Sequence, residues 1–470
     1  MVGITRTGAY FPRRRLDRAL IGEAWGTRVP PGTRTVAGLD EDALTMATDA
    51  VLACLGDADP ADPGQFDALY FASTSSPYNE KQVASVIATA ADLPREAAVA
   101  DLGGSVRAGL GALRAALDGV RAGSHRTALV VAADARRVEP ESELEPLVGD
   151  GALAVAVGRD DVVAELVATA SISEEFTYVF RTDEQRYLQV AEPRFGATYG
   201  YARDTGEAVA LALRRAELPP ARVAKLALAA PDARSAGDAA RRAGCEPGQL
   251  EPSLVTEAGL LGTAEPLVLL ARSLETARPG DFLVTGAYGE GADVLVFRAT
   301  DRLPAARPRP VAERLARGLP LPSYARYLRA QAVLPGESIG EPVTSMVEWK
   351  ELKQNVRLYG SRCEACGLVQ YPQARVCLGC RSQDRMVDHK LAKRGTVFTF
   401  TIDNLAPVPE HPLPMAVVDL DGGGRLYLQV TDAADGDVKV GAPVELTFRR
   451  LHEVGGNRYY FWKARPVEVR

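Results

Sequence analysis

The chain has no apolar run near the ~18 residues that a membrane-spanning helix needs, so no transmembrane segment is expected. Its opening, Met-Val-Gly-Ile-Thr-Arg-Thr-Gly, lacks the basic-then-apolar leader of an exported protein, and a cytoplasmic location is the default expectation. Cysteine is scarce, at six in 470 residues, which excludes a disulfide scaffold. Histidine is scarcer still. Only His125, His389, His411 and His452 occur, so few imidazoles are on hand for proton transfer. Charge of one sign is also missing: the net charge is −6, too mild for global attraction to nucleic acid or an anionic membrane.

What is present is an ordinary soluble composition, 46% hydrophobic and 25% charged, on a chain longer than one core usually serves. Two or three domains are expected. Residues 1–300 alternate apolar runs with Ala/Leu/Arg-rich stretches. The runs Ala68–Ser73, Thr127–Ala133, Ala152–Val157, Lys225–Ala230, Asp281–Ala287 and Ala292–Phe297 are apolar almost throughout. Such runs suit strands buried on both faces. Helical patterns between them predict βαβ units, largely parallel sheets and covering helices. Residues 101–109, Asp-Leu-Gly-Gly-Ser-Val-Arg-Ala-Gly, read as the end of a buried strand entering a helix. That helix places Val106, Leu110, Leu113, Leu117 and Val120 on one stripe.

Residues 301–342 are rich in proline and arginine and read as a tail with one short helix near Ser323–Leu334. Residues 346–358 predict an amphipathic helix with Trp349, Leu352 and Val356 on one side. Five short strands follow, at Thr396–Asp403, Pro414–Asp421, Arg425–Thr431, Pro443–Arg449 and Arg458–Lys463. Their spacing suggests a small closed barrel.

Cys363-x2-Cys366 and Cys377-x2-Cys380 are paired knuckles. Each points two sulfurs at one ion, and four thiolates suit tetrahedral zinc better than iron, disulfides or free thiols. Gly367 and Gly379 can relieve the tight turns. With every position filled by sulfur, the metal is structural. Cys54 and Cys245 have no partner spacing and read as core or surface residues.

Residues 1 to about 335 resemble the hydroxymethylglutaryl-CoA synthase branch of the thiolase superfamily. The stretches that carry the resemblance are the opening Val-Gly-Ile-Thr-Arg-Thr-Gly-Ala-Tyr-Phe-Pro, then Gly38-Leu-Asp-Glu-Asp-Ala-Leu-Thr-Met-Ala, Ser76-Pro-Tyr, Gly149-Asp-Gly-Ala, and Pro279-Gly-Asp followed by Ala-Tyr-Gly-Glu-Gly-Ala. From about residue 345 the chain resembles the zinc-ribbon and OB-fold family found beside acyl-CoA enzymes, on Leu358-Tyr-Gly-Ser-Arg-Cys-Glu-Ala-Cys-Gly, Cys377-Leu-Gly-Cys and Arg394-Gly-Thr-Val-Phe-Thr-Phe-Thr.

The resemblance implies an α/β, thiolase-like five-layered fold of two βαβαβαββ halves, followed by a rubredoxin-like zinc ribbon and a small OB-fold barrel. The expected divisions are 1–160 and 161–335 for the two halves, 345–395 for helix and ribbon, and 396–470 for the OB fold. The chemistry it implies is Claisen condensation of acyl-CoA esters, with a cysteine nucleophile, a glutamate acid/base, and a histidine and an asparagine that position the thioester. Carried over, the cysteine position falls on Val106, the glutamate on Thr74, the histidine on Ala229 and the asparagine near Ala258. An isopropyl group cannot attack a thioester. Ser105, beside the vacant position, is the one candidate substitute nucleophile. It lacks a neighbouring base and the Gly-x-Ser-x-Gly elbow, so a helix-capping role fits it better.

Between Ser345 and Gly395 ten Lys/Arg face five Asp/Glu. This basic stretch could serve nucleic acid, the phosphates of coenzyme A, or only solvent. Tyr371, Phe398, Phe400, Tyr427 and Tyr459 offer stacking side chains in type, yet alternation along strands predicts most of them in the core, which disfavours nucleic acid. The stripe of Trp349 either docks a partner or covers its own barrel. The expectation is therefore a non-catalytic subunit that supports a thiolase-like catalytic partner, as a homo- or hetero-oligomer through the thiolase-like domain. A coenzyme A thioester is the candidate ligand. The rivals are an active acyltransferase using Ser105 and a simple binding module for CoA esters or nucleic acid.

Overall fold

The computed structural model describes residues 1–56, 66–304, 310–333, 342–406, 412–434 and 436–467. His411 and the end of the predicted helix at Leu334 lie outside them.

The first half contributes β1 (Gly3–Tyr10), α1 (Ala43–Leu55), β2 (Ala68–Ala72), α2 (Val83–Ala90), β3 (Ala98–Leu102), α3 (Ala108–Ala122), β4 (Ala128–Asp134) and β5 (Gly151–Gly158). The second contributes β6 (Ala164–Ser173), α4 (Arg203–Arg215), β7 (Val223–Leu228), α5 (Ala233–Arg242), α6 (Glu265–Thr276), β8 (Phe282–Tyr288) and β9 (Gly291–Ala299). All nine strands join one sheet in the order β7-β8-β9-β6-β1-β5-β4-β2-β3. The seam is short: only Gly3 and Ile4 of β1 pair with β6, opposite Glu165 and Ala164. Read outward from it, the first half runs first, fifth, fourth, second, third strand. The second half runs in the same pattern, its third strand reduced to a single bridge between Leu226 and Leu250. The two halves are one topology used twice.

Three cores separate the layers. On β4, Ala128, Val130 and Ala132 face one core, while Leu129, Val131 and Ala133 face another, because successive side chains point to opposite faces. The central core holds Leu110, Leu113 and Leu117 of α3 with Leu267, Leu270 and Leu274 of α6. Helices α1 and α2 cover the outer face of the first half, and α4 with α5 that of the second. The result is five layers: helices, sheet, helices, sheet, helices.

The expectation of largely parallel sheets needs correction. Within the nine-stranded sheet, parallel strand pairing is confined to β7–β8, β4–β2 and β2–β3. The central strands β1, β5, β6 and β9 pair antiparallel. Apolar runs report burial on both faces but not strand direction, and the β8–β9 hairpin turns at Gly289-Glu290 without a crossover helix. The strand before residue 103 is not buried either. β3 is the outer edge of the sheet, with Ala98 and Asp101 exposed.

After the short helix Tyr324–Ala330, which packs Tyr327 against Leu16, Ile21 and Val36, come α7 (Ser345–Asn355) and a three-stranded ribbon, β10 (Tyr359–Cys363), β11 (Val369–Gln370) and β12 (Met386–Lys390). The OB barrel follows as β13 (Arg394–Asp403), β14 (Leu413–Leu420), β15 (Arg425–Gln429), β16 (Pro443–Val454) and β17 (Asn457–Pro466). Its order is β15-β14-β13-β16-β17. A Val430–Ala464 bridge closes the cylinder. The buried Cys54 and Cys245 belong to the cores.

The barrel is locked onto the first half by charge. Asp42 caps α1, accepting from Thr45 N at 3.1 Å, and also accepts from the Tyr460 hydroxyl at 2.7 Å. Asp49, one face along α1, accepts from Arg449 at 2.9 Å and Arg465 at 3.3 Å. The Arg449 guanidinium is 0% exposed and also meets Asp432 at 2.9 Å, Glu41 at 3.3 Å and the Tyr10 hydroxyl at 2.7 Å. A second anchor, Asp92, takes Arg357 at 2.8 Å, the Tyr359 hydroxyl at 2.9 Å and Lys390 at 3.1 Å. Arg357 and Lys390 come from the basic stretch, and Lys353 and Arg375 pair with Asp388 and Asp384. Much of the local positive charge therefore serves the chain's own packing. No helix among the described residues is long and apolar enough to cross a membrane.

Candidate functional site

The start of α6 gathers three of the four positions that the resemblance assigns to catalysis. Thr263 N and Oγ1 donate to Asp134 at 2.8 and 2.9 Å. Thr74, the glutamate position, donates to the same carboxylate from N at 2.8 Å and from Oγ1 at 3.1 Å. The Thr263 carbonyl lies so close to Gly109 that a Cβ there would sit 2.2 Å from its oxygen. Gly109 is in the first turn of α3, three residues past Val106. Glu265 accepts from the backbone of Ala230, the neighbour of Ala229.

Val106 does not occupy the helix N-terminus itself. α3 begins at Ala108 with Arg107 as its cap residue, so Val106 stands in the turn just before it. Ala258 lies apart from the cluster, its carbonyl accepting from Thr35 N and Oγ1 at 2.9 Å.

The polar groups that remain are committed or isolated. Asp134 is buried and also accepts from the hydroxyls of Ser73 and Ser75 at 3.1 and 2.8 Å. A carboxylate offers about four lone-pair sites, so little is left for a substrate. Glu265 is buried with no direct ion pair among the described residues, and burial pushes its carboxyl up to about 7 against the opposing pull of Arg136 and two backbone N–H groups. The hydroxyls of Tyr201 and Tyr288, with rings 5.8 Å apart, are buried without a hydrogen-bond partner among the described residues.

Ser105 does not cap α3 with its hydroxyl. That oxygen packs against Gly289, where an added Cβ would come within 1.9 Å of it. No imidazole of the described residues stands near. His125 bonds the Tyr70 hydroxyl at 2.9 Å beyond the far end of α3, His389 lies in β12, and His452 stacks on Tyr459 in the β16–β17 hairpin at 4.7 Å.

The four knuckle cysteines converge as predicted. Their sulfurs all lie within 4.8 Å of one another, with Cys363–Cys380 at 3.6 Å and Cys366–Cys377 at 3.5 Å. A tetrahedron of Zn–S bonds near 2.3 Å has edges of about 3.8 Å, so the set fits zinc. The two knuckles repeat one backbone plan. Gly367 N donates to Cys363 O and Arg381 N to Cys377 O, while Cys363 N donates to Leu368 O and Cys377 N to Ser382 O. The left-handed residues are Gly367 (φ 79°) and Arg381 (φ 64°). A Cβ at Gly379 would lie 3.2 Å from the end of the Leu368 side chain, a tight contact.

The aromatic residues expected in the barrel core are largely outside it. Phe398 is 50% exposed and Tyr427 64%, and Phe400 is exposed too. A bulge between Val397 and Thr399 breaks the alternation along β13. Arg425 stacks over Phe398 at 3.7 Å. Tyr459 alone of the five is buried. On α7, Trp349 is 75% exposed and Leu352 also faces outward; only Val356, just past the helix, packs on the barrel core.

Comparison with known proteins follows the same division. Residues 349–384 match the family model of the ChsH2 rubredoxin-like zinc ribbon domain, and residues 388–449 that of the ChsH2 C-terminal OB-fold domain. The preceding region is similar to the hydroxymethylglutaryl-CoA synthase of Pyrobaculum arsenaticum, 28% identical over 345 residues, covering 71% of this chain and 98% of that protein. The enzyme of the same name from Methanopyrus kandleri is 27% identical over 348 residues with the same coverage. Among solved structures, an HMG-CoA synthase complexed with CoA superposes with a TM-score of 0.64 at 17% identity, over 73% of this chain and 95% of that one. The 3-oxoacyl-[acyl-carrier-protein] synthase III of Aquifex aeolicus VF5 gives 0.57 at 20%, over 63% and 100%. The N-terminal region thus has a thiolase-like fold, joined to a zinc ribbon that holds structural zinc and to an OB fold.

Proposed function

We propose that this chain is a non-catalytic, synthase-like subunit that assembles with a separate thiolase or acyltransferase making or breaking carbon–carbon bonds in acyl-CoA esters. The observation that carries this reading is the joint occupancy of the site by Thr74, Val106 and Ala229 around the start of α6. General acid/base catalysis contributes about 10²–10⁴-fold, and acyl transfer through a covalent intermediate needs an activated nucleophile. Val106, Thr74 and Ala229 supply neither group, and this supports the reading. In this reading the two halves meet between residues 160 and 161, and a coenzyme A thioester is the ligand of the surrounding pocket.

Two open surfaces support a partner. β3 ends the nine-stranded sheet with an unpaired edge, which invites strand addition. The exposed Trp349 and Leu352 of α7 leave their own barrel uncovered. A thiolase-like subunit fits both, through the sheet edge and the helix.

Incubation of the full chain with acetyl-CoA tests the reading. Intact mass is expected to stay unchanged, with no free thiol released above background. Condensing activity is expected only when the partner is added. A stoichiometric acyl adduct on Ser105, or turnover by this chain alone, refutes it.

A further inference from the structure

A cleft of about 450 Å³ lies where the Thr74–Pro77 loop, the Arg181–Arg186 segment and the β16–β17 hairpin of the barrel meet. Such a volume suits a small organic ligand. Its walls carry Arg136, Arg137, Arg181, Arg186, Arg450 and Arg458. These guanidiniums come from three separate parts of the chain.

Most are tethered in ways that aim them. Arg450 donates to Leu39 O at 2.5 Å, and Arg458 to Glu453 at 3.0 Å. Arg181 reaches the Thr74 carbonyl at 3.4 Å, and Arg186 donates to Ala332 O. Arg137 is different: among the described residues its guanidinium has no hydrogen-bond or ion-pair partner. Arg186, Arg458 and Arg450 crowd it, and burial plus their like charge hold its pKa below the usual arginine value. The Nε of Arg136 is buried and likewise unpartnered.

The cleft's carboxylates answer this charge only in part: Asp183 and Glu184 line it as well, and Glu453 pairs with Arg450 at 3.6 Å and with Arg458 at 3.0 Å. Glu41 is taken by Tyr10, Gly38 N and Arg449. Asp42 is taken by Thr45 and Tyr460 and lies 3.9 Å from Arg458. Six arginines against four lining carboxylates leave an excess of positive charge, Arg137 has no carboxylate of its own among the described residues, and a planar fork of donors matches phosphate oxygens two at a time.

We propose that this cleft is a binding site for a diphosphate group, with Arg137 as its central ligand and the barrel's Arg450 and Arg458 closing one side. The group can be free inorganic diphosphate or the diphosphate of a nucleotide-bearing molecule such as coenzyme A. The site borders Thr74 but rests on the cleft alone, and it stands or falls apart from the reading of the chain as non-catalytic.

Titration calorimetry of the full chain with sodium diphosphate at low ionic strength tests it. One saturable site per chain is expected, weakening as salt is raised because exposed charges are screened. Arg137→Gln should weaken binding about tenfold or more, the size of one lost charge-assisted contact. Arg137→Lys should fall between, since it keeps the charge but not the fork. Arg302→Gln, which removes an exposed arginine paired with Asp161, should change nothing. Because Arg137 holds no partner, both of its variants should melt no lower than the parent without ligand. Competition by coenzyme A assigns the site to a nucleotide's diphosphate, and its absence to the free anion. No saturable binding of either, equal binding by Arg137→Gln, or equal loss in Arg302→Gln overturns the proposal.

Discussion

Two polar regions lie on opposite faces of the first half-sheet, and they are built in opposite ways. Around the start of α6 the side chains are small or inert, and the buried groups that remain are solitary: Glu265 without an ion pair, Tyr201 and Tyr288 without partners. At the barrel interface, one guanidinium serves Asp49, Glu41, Asp432 and Tyr10 at once. A reactive centre needs polar groups left partly unsatisfied so that a substrate can complete them. An interface needs them satisfied by each other. The first region keeps a few groups without partners among the described residues, and the second is a closed ionic network. Its polar design serves the holding of domains together.

The ribbon tests whether that network is self-sufficient. Cys363→Ala removes one zinc thiolate, and structural zinc contributes on the order of 10 kcal/mol to small domains that depend on it. The variant should lose its one zinc by elemental analysis, and residues 359–390 should lose hydrogen-exchange protection. The barrel should stay protected, because Arg449 and Arg465 still hold it on α1. Loss of barrel protection as well would show that zinc, not the ionic network, seats the C-terminal module.

Arg449→Met probes the network directly. It leaves Asp49, Glu41 and Asp432 buried without their shared cation, and removing one partner of a buried charge set costs about 3–5 kcal/mol. The denaturation midpoint should fall accordingly, with the barrel opening first. Thr74→Ala, at the hollow centre, trims one of several donors to Asp134 and should cost about 1 kcal/mol. Equal losses would erase the contrast between the two regions.

The sequence disclosed these two regions unequally. The cysteine spacing and the five barrel strands were legible because each is local: knuckles and alternation are written within a few residues. The positions Val106, Thr74 and Ala229 were assigned only through the resemblance, by their place beside short landmarks such as Ser76-Pro-Tyr and Pro231. The Arg449–Asp49 pair was not legible, because its members are 400 residues apart and nothing in either neighbourhood marks them. The outward Phe398 was missed for a related reason. A bulge is a property of two paired strands, and one strand's alternation does not show it. The arginine cleft needs three distant segments folded together before it exists.

Acidity sharpens the comparison further, because each region holds a carboxyl pushed up to about 7. Burial alone does this to Glu265. At Glu41 burial leads, Arg449 opposes, and Asp432 and Asp40 add to the rise. Both folded-state values lie above the ordinary carboxylic value of 4.5. Between pH 4.5 and 7 the folded chain therefore binds more protons than the unfolded one, and stability falls as pH rises through that window. At about 1.4 kcal/mol per unit, one such group accounts for roughly 3 kcal/mol at most. Glu265→Gln should flatten this slope in denaturation curves taken from pH 5 to 8, with no change at the barrel. Glu41→Gln should flatten it too, but hydrogen exchange should show the change in β16 and β17. An unchanged slope in both variants would mean that neither carboxyl carries its proton into the folded state.

The smallest effect is expected where the chain meets nothing of its own. Trp349 makes no core contact, and 75% of it faces solvent. Exposed substitutions away from caps and networks usually stay within about 0.5 kcal/mol, so Trp349→Ala should leave the melting temperature of the isolated chain unmoved. A large indole left open on a short helix is costly to solubility unless something covers it. If a catalytic subunit does so, the same substitution should weaken the assembly by about tenfold or more, as a buried aromatic anchor does at an interface. The pairing of these two readouts is what discriminates. A helix that merely shields its own barrel would lose stability and keep its partner; a docking helix would keep its stability and lose its partner.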